Sequence, residues 1–143
     1  MIFSLSFHLQ LVGVATIILG AVNFGWPRLL GWSADLAAAR PLTRQMIHSQ
    51  TYYIGLTCVI LGFAPLVLTA ELLTPSRLST AILAAETLFW GMRWLTQFVV
   101  FPPRIWRTSR LYTAGFIGFT LFWTWIVTVF AVALLRSLGI WSA

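Results

Sequence analysis

Four polar residues at helical spacing lie inside the third of the chain's long hydrophobic segments. Glu86, Trp90, Arg93 and Gln97 are separated by four, three and four positions, which places them on one face of a helix. The segment is long enough to cross a bilayer. Because an acid and a guanidinium are costly at that depth, we expect Glu86 and Arg93 to face other helices and to have partners there.

A second polar group opens the second hydrophobic segment, where Arg44, Gln45 and His48 are followed by Tyr52. Adjacent segments run in opposite directions, so the start of the second lies at the same membrane depth as the end of the third. The sequence therefore predicts one cluster in the inner half of the membrane, with Arg44 at similar depth and Glu86 roughly 10 Å further out. Its predicted members are Asn23, Gln45, His48, Tyr52, Trp90, Arg93 and Gln97.

These residue types favour a pocket for an anionic or amphiphilic ligand. Arg44 and Arg93 would meet an acidic group, His48 would form a hydrogen bond, and Trp90 and Tyr52 would line an apolar tail. The leading hypothesis is a non-catalytic protein, either an accessory subunit of a membrane complex or a binder of a lipid-like ligand. No catalytic residue is assigned.

Three alternatives stay open at this point. The polar residues can simply link helices by hydrogen bonds. The protein can instead be a small enzyme acting on an amphiphile, with His48 or Glu86 as acid and base and Arg93 as the positioning group. The third alternative is a haem or pigment site with one histidine ligand, since His8 and His48 lie near opposite membrane surfaces and cannot share one haem. No cofactor is assigned, and no metal site is predicted.

The composition is that of an integral membrane protein. Of 143 residues, 59% are hydrophobic and only 8% are charged, against roughly 25% charged in soluble domains. The length fits one domain, 1–143. All nine basic residues are arginines beside hydrophobic segments, which indicates contact with lipid headgroups rather than nucleic acid. Membrane lipids and other transmembrane subunits are the expected partners.

The hydropathy pattern predicts an all-α fold, an up-down bundle of four transmembrane helices. A short interfacial helix, with Ser33 as its N-cap and its end at Arg40, is expected between the first two spans. Pro65 should kink or end the second span, and Thr74-Pro75 should open the third. The predicted spans are approximately 4–24, 42–69, 75–101 and 109–135.

Two stripes on these segments indicate how the helices pack. Gly13, Thr16, Gly20 and Asn23 form a surface of small residues on the first span, the type that lets another helix approach closely. On the fourth span an aromatic stripe is expected to face lipid or a helix of another protein. The stripe consists of Tyr112, Phe116, Phe119, Trp123 and Phe130.

The arginines predict the orientation. Four spans place both termini on one side, which carries only Arg77 and Arg136. The opposite side carries Arg28, Arg40, Arg44, Arg104, Arg107 and Arg110. Because cytoplasmic loops are enriched in basic residues, both termini are expected on the periplasmic side of a bacterial inner membrane.

The pair Arg44-Gln45 with His48, and Phe89-Trp90-Gly91 with Arg93 and Gln97, resembles a pattern in small uncharacterised bacterial proteins with four transmembrane helices. The resemblance covers most of the chain loosely and implies no activity. Membrane glutathione-transferase-like enzymes are similar in size and basicity, but their pattern of Arg, Asn and Glu on the second span is absent after Arg44. DoxX-like proteins share only the architecture.

Overall fold

The computed structural model describes residues 4–141, and the secondary structure of these residues is entirely helical. Its helices are α1 (Leu5–Asn23), α2 (Trp26–Leu29), α3 (Trp32–Asp35), α4 (Pro41–Val67), α5 (Thr69–Leu73), α6 (Arg77–Val99), α7 (Pro103–Trp106) and α8 (Arg110–Ser137). Of these, α1, α4 and α8 are long and apolar enough to cross a membrane. The chain forms two compact units: Leu9–Thr69 is one, and the described residues before and after that range form the other.

The connection between α1 and α4 differs from the prediction. Two four-residue helices, α2 and α3, replace the single helix expected from Ser33 to Arg40. Gly31 lies between them with φ at 63° and serves as the N-cap of α3. This left-handed conformation is one that glycine adopts without steric cost, so the N-cap lies two residues before the predicted one. The N-cap assignment to Ser33 was wrong, because Ser33 lies inside α3.

The start of α6 also lies slightly later than predicted. Ser76, not Thr74, is the N-cap: its Oγ accepts a hydrogen bond from the Ser79 backbone N–H at 3.0 Å. The Ser76 backbone N–H in turn donates to Ser79 Oγ at 2.9 Å, which completes a capping box. Earlier in the chain, α4 continues through Pro65 and ends two residues later at Val67, so this proline lies close to the helix end, as expected.

In the first unit, α1 and α4 run antiparallel and meet at glycines. A Cβ atom at Gly13 would lie 2.7 Å from the backbone oxygen of Gly62, and one at Gly20 would lie 2.6 Å from that of Gly55. Such distances are too short for any side chain, so the two backbones are in direct contact. Asn23 extends the contact by donating from Nδ2 to the Thr51 backbone oxygen at 2.6 Å. The predicted surface of small residues is confirmed.

In the second unit, α6 and α8 run antiparallel and meet through large aromatic side chains. The rings of Trp90 and Trp123 stack with their centroids 5.5 Å apart. Both Trp123 and Phe130 are buried, so the prediction that the whole aromatic stripe faces lipid or another protein was wrong for these two residues. The part of the stripe nearer the start of α8 is more open, with Phe119 41% exposed.

Candidate functional site

The acid of the site is buried against an indole one turn away. Trp90 Nε1 donates to Glu86 Oε2 at 2.9 Å, and the two side chains are 1% and 2% exposed. Positions four apart on a helix lie on one face, which explains why this pair forms within α6. The prediction that Glu86 faces the interior and has a partner there is confirmed.

Arg93 lies at the end of an aromatic stack. Its guanidinium carbon is 4.8 Å from the centroid of the Trp123 ring, a cation–π distance. Its Nη1 donates to Thr96 Oγ1 at 3.1 Å and to Gln97 Oε1 at 3.5 Å. Trp123 stacks in turn on Trp90. The charge is therefore held by an aromatic face and by side-chain oxygens of its own helix.

Gln97 connects the two helices one turn further along α6. The residue is 4% exposed, and its Nε2 donates to the backbone oxygen of Phe116 on α8 at 3.4 Å. Because its Oε1 also accepts from Arg93, the amide bridges the guanidinium and the backbone of α8. The geometry thus brings Glu86, Trp90, Arg93 and Gln97 to the face of α6 that packs on α8.

A pocket of about 470 Å³ opens beside Arg93, between the last turns of α6, the short helix α7 and the first turns of α8. Its polar groups are the Arg93 guanidinium, the Gln97 amide and the Tyr112 phenol. The other lining residues are Phe101, Ile105, Trp106, Leu111, Gly115, Phe116 and Phe119. A mostly apolar pocket with few polar groups is the usual anatomy of a small-molecule site.

Helix α7 shapes this pocket by bringing an aromatic ring onto α8. The Trp106 ring stacks on Phe116 with centroids 4.5 Å apart and planes 9° apart. The helix starts at Pro103, directly after Pro102, and the missing amide protons of these prolines prevent α6 from continuing. The chain therefore turns at this point and places Trp106 as one wall of the pocket.

Most of the pocket walls were not among the residues predicted for the site. Tyr112, Phe116 and Phe119 were recognised as one stripe, at steps of four and three residues, but were assigned to lipid or a partner helix. The signal that could have found them was the match between this stripe and the polar face of α6. For Trp106 no local signal existed, since its position depends on the turn at α7.

The predicted site residues of α4 lie in the first unit and do not form a cluster there. Arg44 Nη2 donates to the backbone oxygens of Ala37 and Ala39, at 3.1 and 3.4 Å, and so holds the connection before α4. Gln45 and His48 are exposed. Tyr52 is 55% exposed, with its ring 5.2 Å from that of Phe24. Convergence of these residues with those of α6 stays a prediction.

His8, one of the two histidines considered for haem or pigment binding, is in contact with an indole. Trp125 Nε1 donates to His8 Nδ1 at 3.4 Å. A metal bound through Nε2 would place the ring proton on Nδ1, and the hydrogen bond from Trp125 would then be lost. This contact favours a structural role for His8.

No family model, curated protein or solved structure matches the chain. The candidate site is therefore defined by its own geometry alone.

Proposed function

We propose that this is a four-pass membrane protein that binds an amphiphile with an acidic headgroup in the pocket between α6, α7 and α8. The observation that carries the proposal is the composition of the pocket wall: one guanidinium and one amide among aromatic and aliphatic side chains. Such a wall matches a ligand with an apolar tail and a single acidic group.

The proposal takes α6 as a fourth membrane span beside the three apolar helices. Its 23 residues measure about 35 Å, more than the roughly 30 Å of a bilayer core. Its two ionisable groups in mid-helix are Glu86 and Arg93, and both face protein partners, Trp90 and Trp123. Charges inside a membrane are tolerated when they face the protein interior in this way.

With four spans, the positive-inside rule orients the chain in a bacterial cytoplasmic membrane with both termini outside. Cysteines introduced singly at Ser33, Thr108, Thr74 and Gly139, in a Cys58→Ser background, would test this. On intact cells, a membrane-impermeant maleimide is expected to label positions 74 and 139 and to spare 33 and 108. Labelling of position 108 together with 74 would rule out α6 as a span.

An acidic ligand group is favoured because Arg93 is a permanent cation in the pocket wall. A guanidinium binds a carboxylate or phosphate through parallel hydrogen bonds. In an apolar pocket these bonds are strengthened by the low dielectric constant. The rings of Phe101, Phe116 and Phe119 offer an apolar surface for the tail.

Binding is favoured over catalysis by the side chains that line the pocket. The titratable residues among them are Arg93 and Tyr112, and arginine does not release its proton in proteins. Glu86, the acid considered for an enzyme, is bonded to Trp90 and does not belong to the pocket wall. The described unit therefore provides a cation and apolar walls without a carboxylate or imidazole in contact with the ligand space.

A brominated long-chain fatty acid tests the proposal, because bromine quenches tryptophan fluorescence on contact and Trp106 lines the pocket. The full chain in detergent is titrated with this probe. Arg93→Gln is expected to weaken binding about tenfold or more, since a hydrogen bond to a charged group is lost. The control is Arg28→Gln, which removes an exposed arginine in the other unit and should leave the curve unchanged.

A second variant fills the pocket and leaves Arg93 unchanged, so it tests the location of the ligand independently of the guanidinium. Gly115 lines the pocket, and a Cβ there would meet no atom within 4 Å, so Gly115→Leu adds bulk to the pocket from an unobstructed Cβ. Gly118 has the same free space but does not line the pocket, and Gly118→Leu is the matched control. Quenching should be lost for Gly115→Leu and kept for Gly118→Leu. Equal quenching in both variants would refute the pocket as the binding site.

A further inference from the structure

A second, shallower depression lies on the turn that joins α7 to α8. It has a volume of about 490 Å³, and its polar wall consists of Arg107, Thr108, Ser109, Arg110 and Thr113. Both arginines are exposed. The depression therefore contains two guanidinium groups and three hydroxyls, of which those of Thr108 and Thr113 donate to backbone oxygens. Its chemistry is quite different from that of the apolar pocket.

Two contacts fix the turn and one of its arginines. Thr113 Oγ1 donates to the backbone oxygen of Trp106 at 3.0 Å, which ties the first turn of α8 to the end of α7. The guanidinium carbon of Arg107 lies 4.9 Å from the centroid of the Trp106 ring. Trp106 also lines the apolar pocket. The same side chain therefore lies between that pocket and the arginine of the second depression.

The surrounding chain supplies no carboxylate for these arginines. From Thr87 to the end of the sequence there are five arginines and no acidic residue. Glu86 is buried against Trp90, and Glu71 lies on α5, before the start of α6. An anion from outside the unit is thus the natural partner for Arg107 and Arg110.

We infer that Arg107 and Arg110 form a phosphate-binding site for the headgroup of an anionic phospholipid. The guanidinium fork matches phosphate oxygens. The Ser109 hydroxyl lies in the same depression, where its oxygen accepts from the Tyr112 backbone N–H, whereas the Thr108 hydroxyl donates to the backbone oxygen of Ile105. A tryptophan beside a cation is typical of the membrane interface, where a lipid phosphate is present at high local concentration. The inference uses the membrane location of the proposed function but not its pocket ligand.

The test compares two double variants with the same change of charge. The full chain in detergent is titrated with phosphatidylglycerol, and bound lipid is counted by native mass spectrometry. Arg107→Gln/Arg110→Gln is expected to weaken phosphatidylglycerol binding about tenfold or more. Arg28→Gln/Arg40→Gln removes two exposed arginines of the other unit and should leave it unchanged. An equal loss in both double variants would show a general effect of net charge and overturn the inference.

Two further measurements identify the ligand. Phosphatidylcholine, which is zwitterionic, should bind weakly and equally to all variants. Inorganic phosphate at millimolar concentration should not displace phosphatidylglycerol, because the rest of the lipid also contributes to binding. Full displacement would show that the site binds free phosphate and would overturn the lipid assignment. The brominated fatty acid should still quench in Arg107→Gln/Arg110→Gln, so failure of this inference is distinguishable from failure of the pocket proposal.

Discussion

The two helix pairs of this chain pack by opposite means. Between α1 and α4 the contacts are glycine against backbone oxygen, at Gly13 with Gly62 and at Gly20 with Gly55. Between α6 and α8 the contacts are indole against indole, at Trp90 with Trp123. Backbone contact leaves no space for a ligand along the seam, whereas large rings fill one part of an interface and leave gaps beside them.

The same contrast governs the polar residues. In the first unit, Asn23 and Arg44 donate to backbone oxygens and so fasten the helix pair and its connection. In the second unit, Arg93 and Gln97 line a pocket. This difference is why we propose ligand binding for the aromatic pair and not for the glycine-packed pair.

Removing the central indole should cause the largest loss of stability. Trp90→Ala deletes a side chain that is 1% exposed, stacked on Trp123 and bonded to Glu86. Truncations of buried aromatic residues cost about 3–5 kcal/mol, and the buried acid also loses its donor. The free energy of unfolding, measured by titration with SDS in mixed micelles, gives the value. Leu88→Ala, at a side chain that is 67% exposed on the same helix, is the control.

Trp90→Phe is a milder variant, because it keeps one aromatic ring while removing the donor to Glu86 and part of the buried indole. Its cost should lie between those of Leu88→Ala and Trp90→Ala. If Trp90→Ala lowered the free energy of unfolding no more than Leu88→Ala, aromatic stacking would not be what holds α6 on α8. The contrast between the two helix pairs would then be wrong for α6 and α8.

Methyl groups at the α1–α4 contact should cause the next largest loss of stability. We call this contact, formed by Gly13, Gly20, Gly55 and Gly62, the glycine seam. In Gly20→Ala the new Cβ would lie 2.6 Å from the Gly55 backbone oxygen, and a backbone atom can move only if the helices separate. Overpacking of this kind costs about 1–3 kcal/mol. Gly91→Ala is the matched control on α6, where a Cβ meets nothing within 4 Å. The same unfolding titration should show Gly91→Ala unchanged or slightly stabilised, since alanine favours helix.

A stable Gly20→Ala variant would mean that α1 and α4 do not touch along this seam. Gly62→Ala provides an independent check from the facing helix, where the Cβ would lie 2.6 Å from Thr16 Oγ1 and 2.8 Å from the Gly13 backbone oxygen. Both variants should lose stability by similar amounts if the seam is continuous.

The glycine seam could be predicted from the sequence because it depends on residue size and helical period alone. Gly13 and Gly20 are seven residues apart, as are Gly55 and Gly62, so each pair returns to the same helix face after two turns. For the same reason the inward direction of Glu86 could be predicted. These features belong to single helices and need no knowledge of which helices meet.

The pocket could not be predicted because it depends on contacts between distant parts of the chain. Trp106 becomes a wall only when α7 folds back and stacks it on Phe116. In the first unit, likewise, His48 was expected in a cluster on the basis of depth along the membrane, and depth says nothing about the direction of a side chain. His48 lies seven residues before Gly55, on the face of α4 that contacts α1. It is nevertheless exposed, because α1 ends at Asn23, which contacts Thr51, and His48 lies beyond that contact.

Removing the hydrogen bond at the end of the glycine seam should cause the smallest loss of stability of the three changes. Asn23→Leu removes the hydrogen bond from Nδ2 to the Thr51 backbone oxygen, which spans 2.6 Å. Hydrogen bonds between membrane helices contribute about 0.6 kcal/mol on average and up to about 1.7.

Thr124→Val is the counterpart in the aromatic pair, since it removes the acceptor of the 2.9 Å hydrogen bond from Trp94 Nε1. If glycine contact and aromatic stacking carry the two interfaces, both variants should unfold within about 1 kcal/mol of the unmodified protein. A loss for Asn23→Leu as large as that for Gly20→Ala would instead make the asparagine, and not the glycines, the main link between α1 and α4.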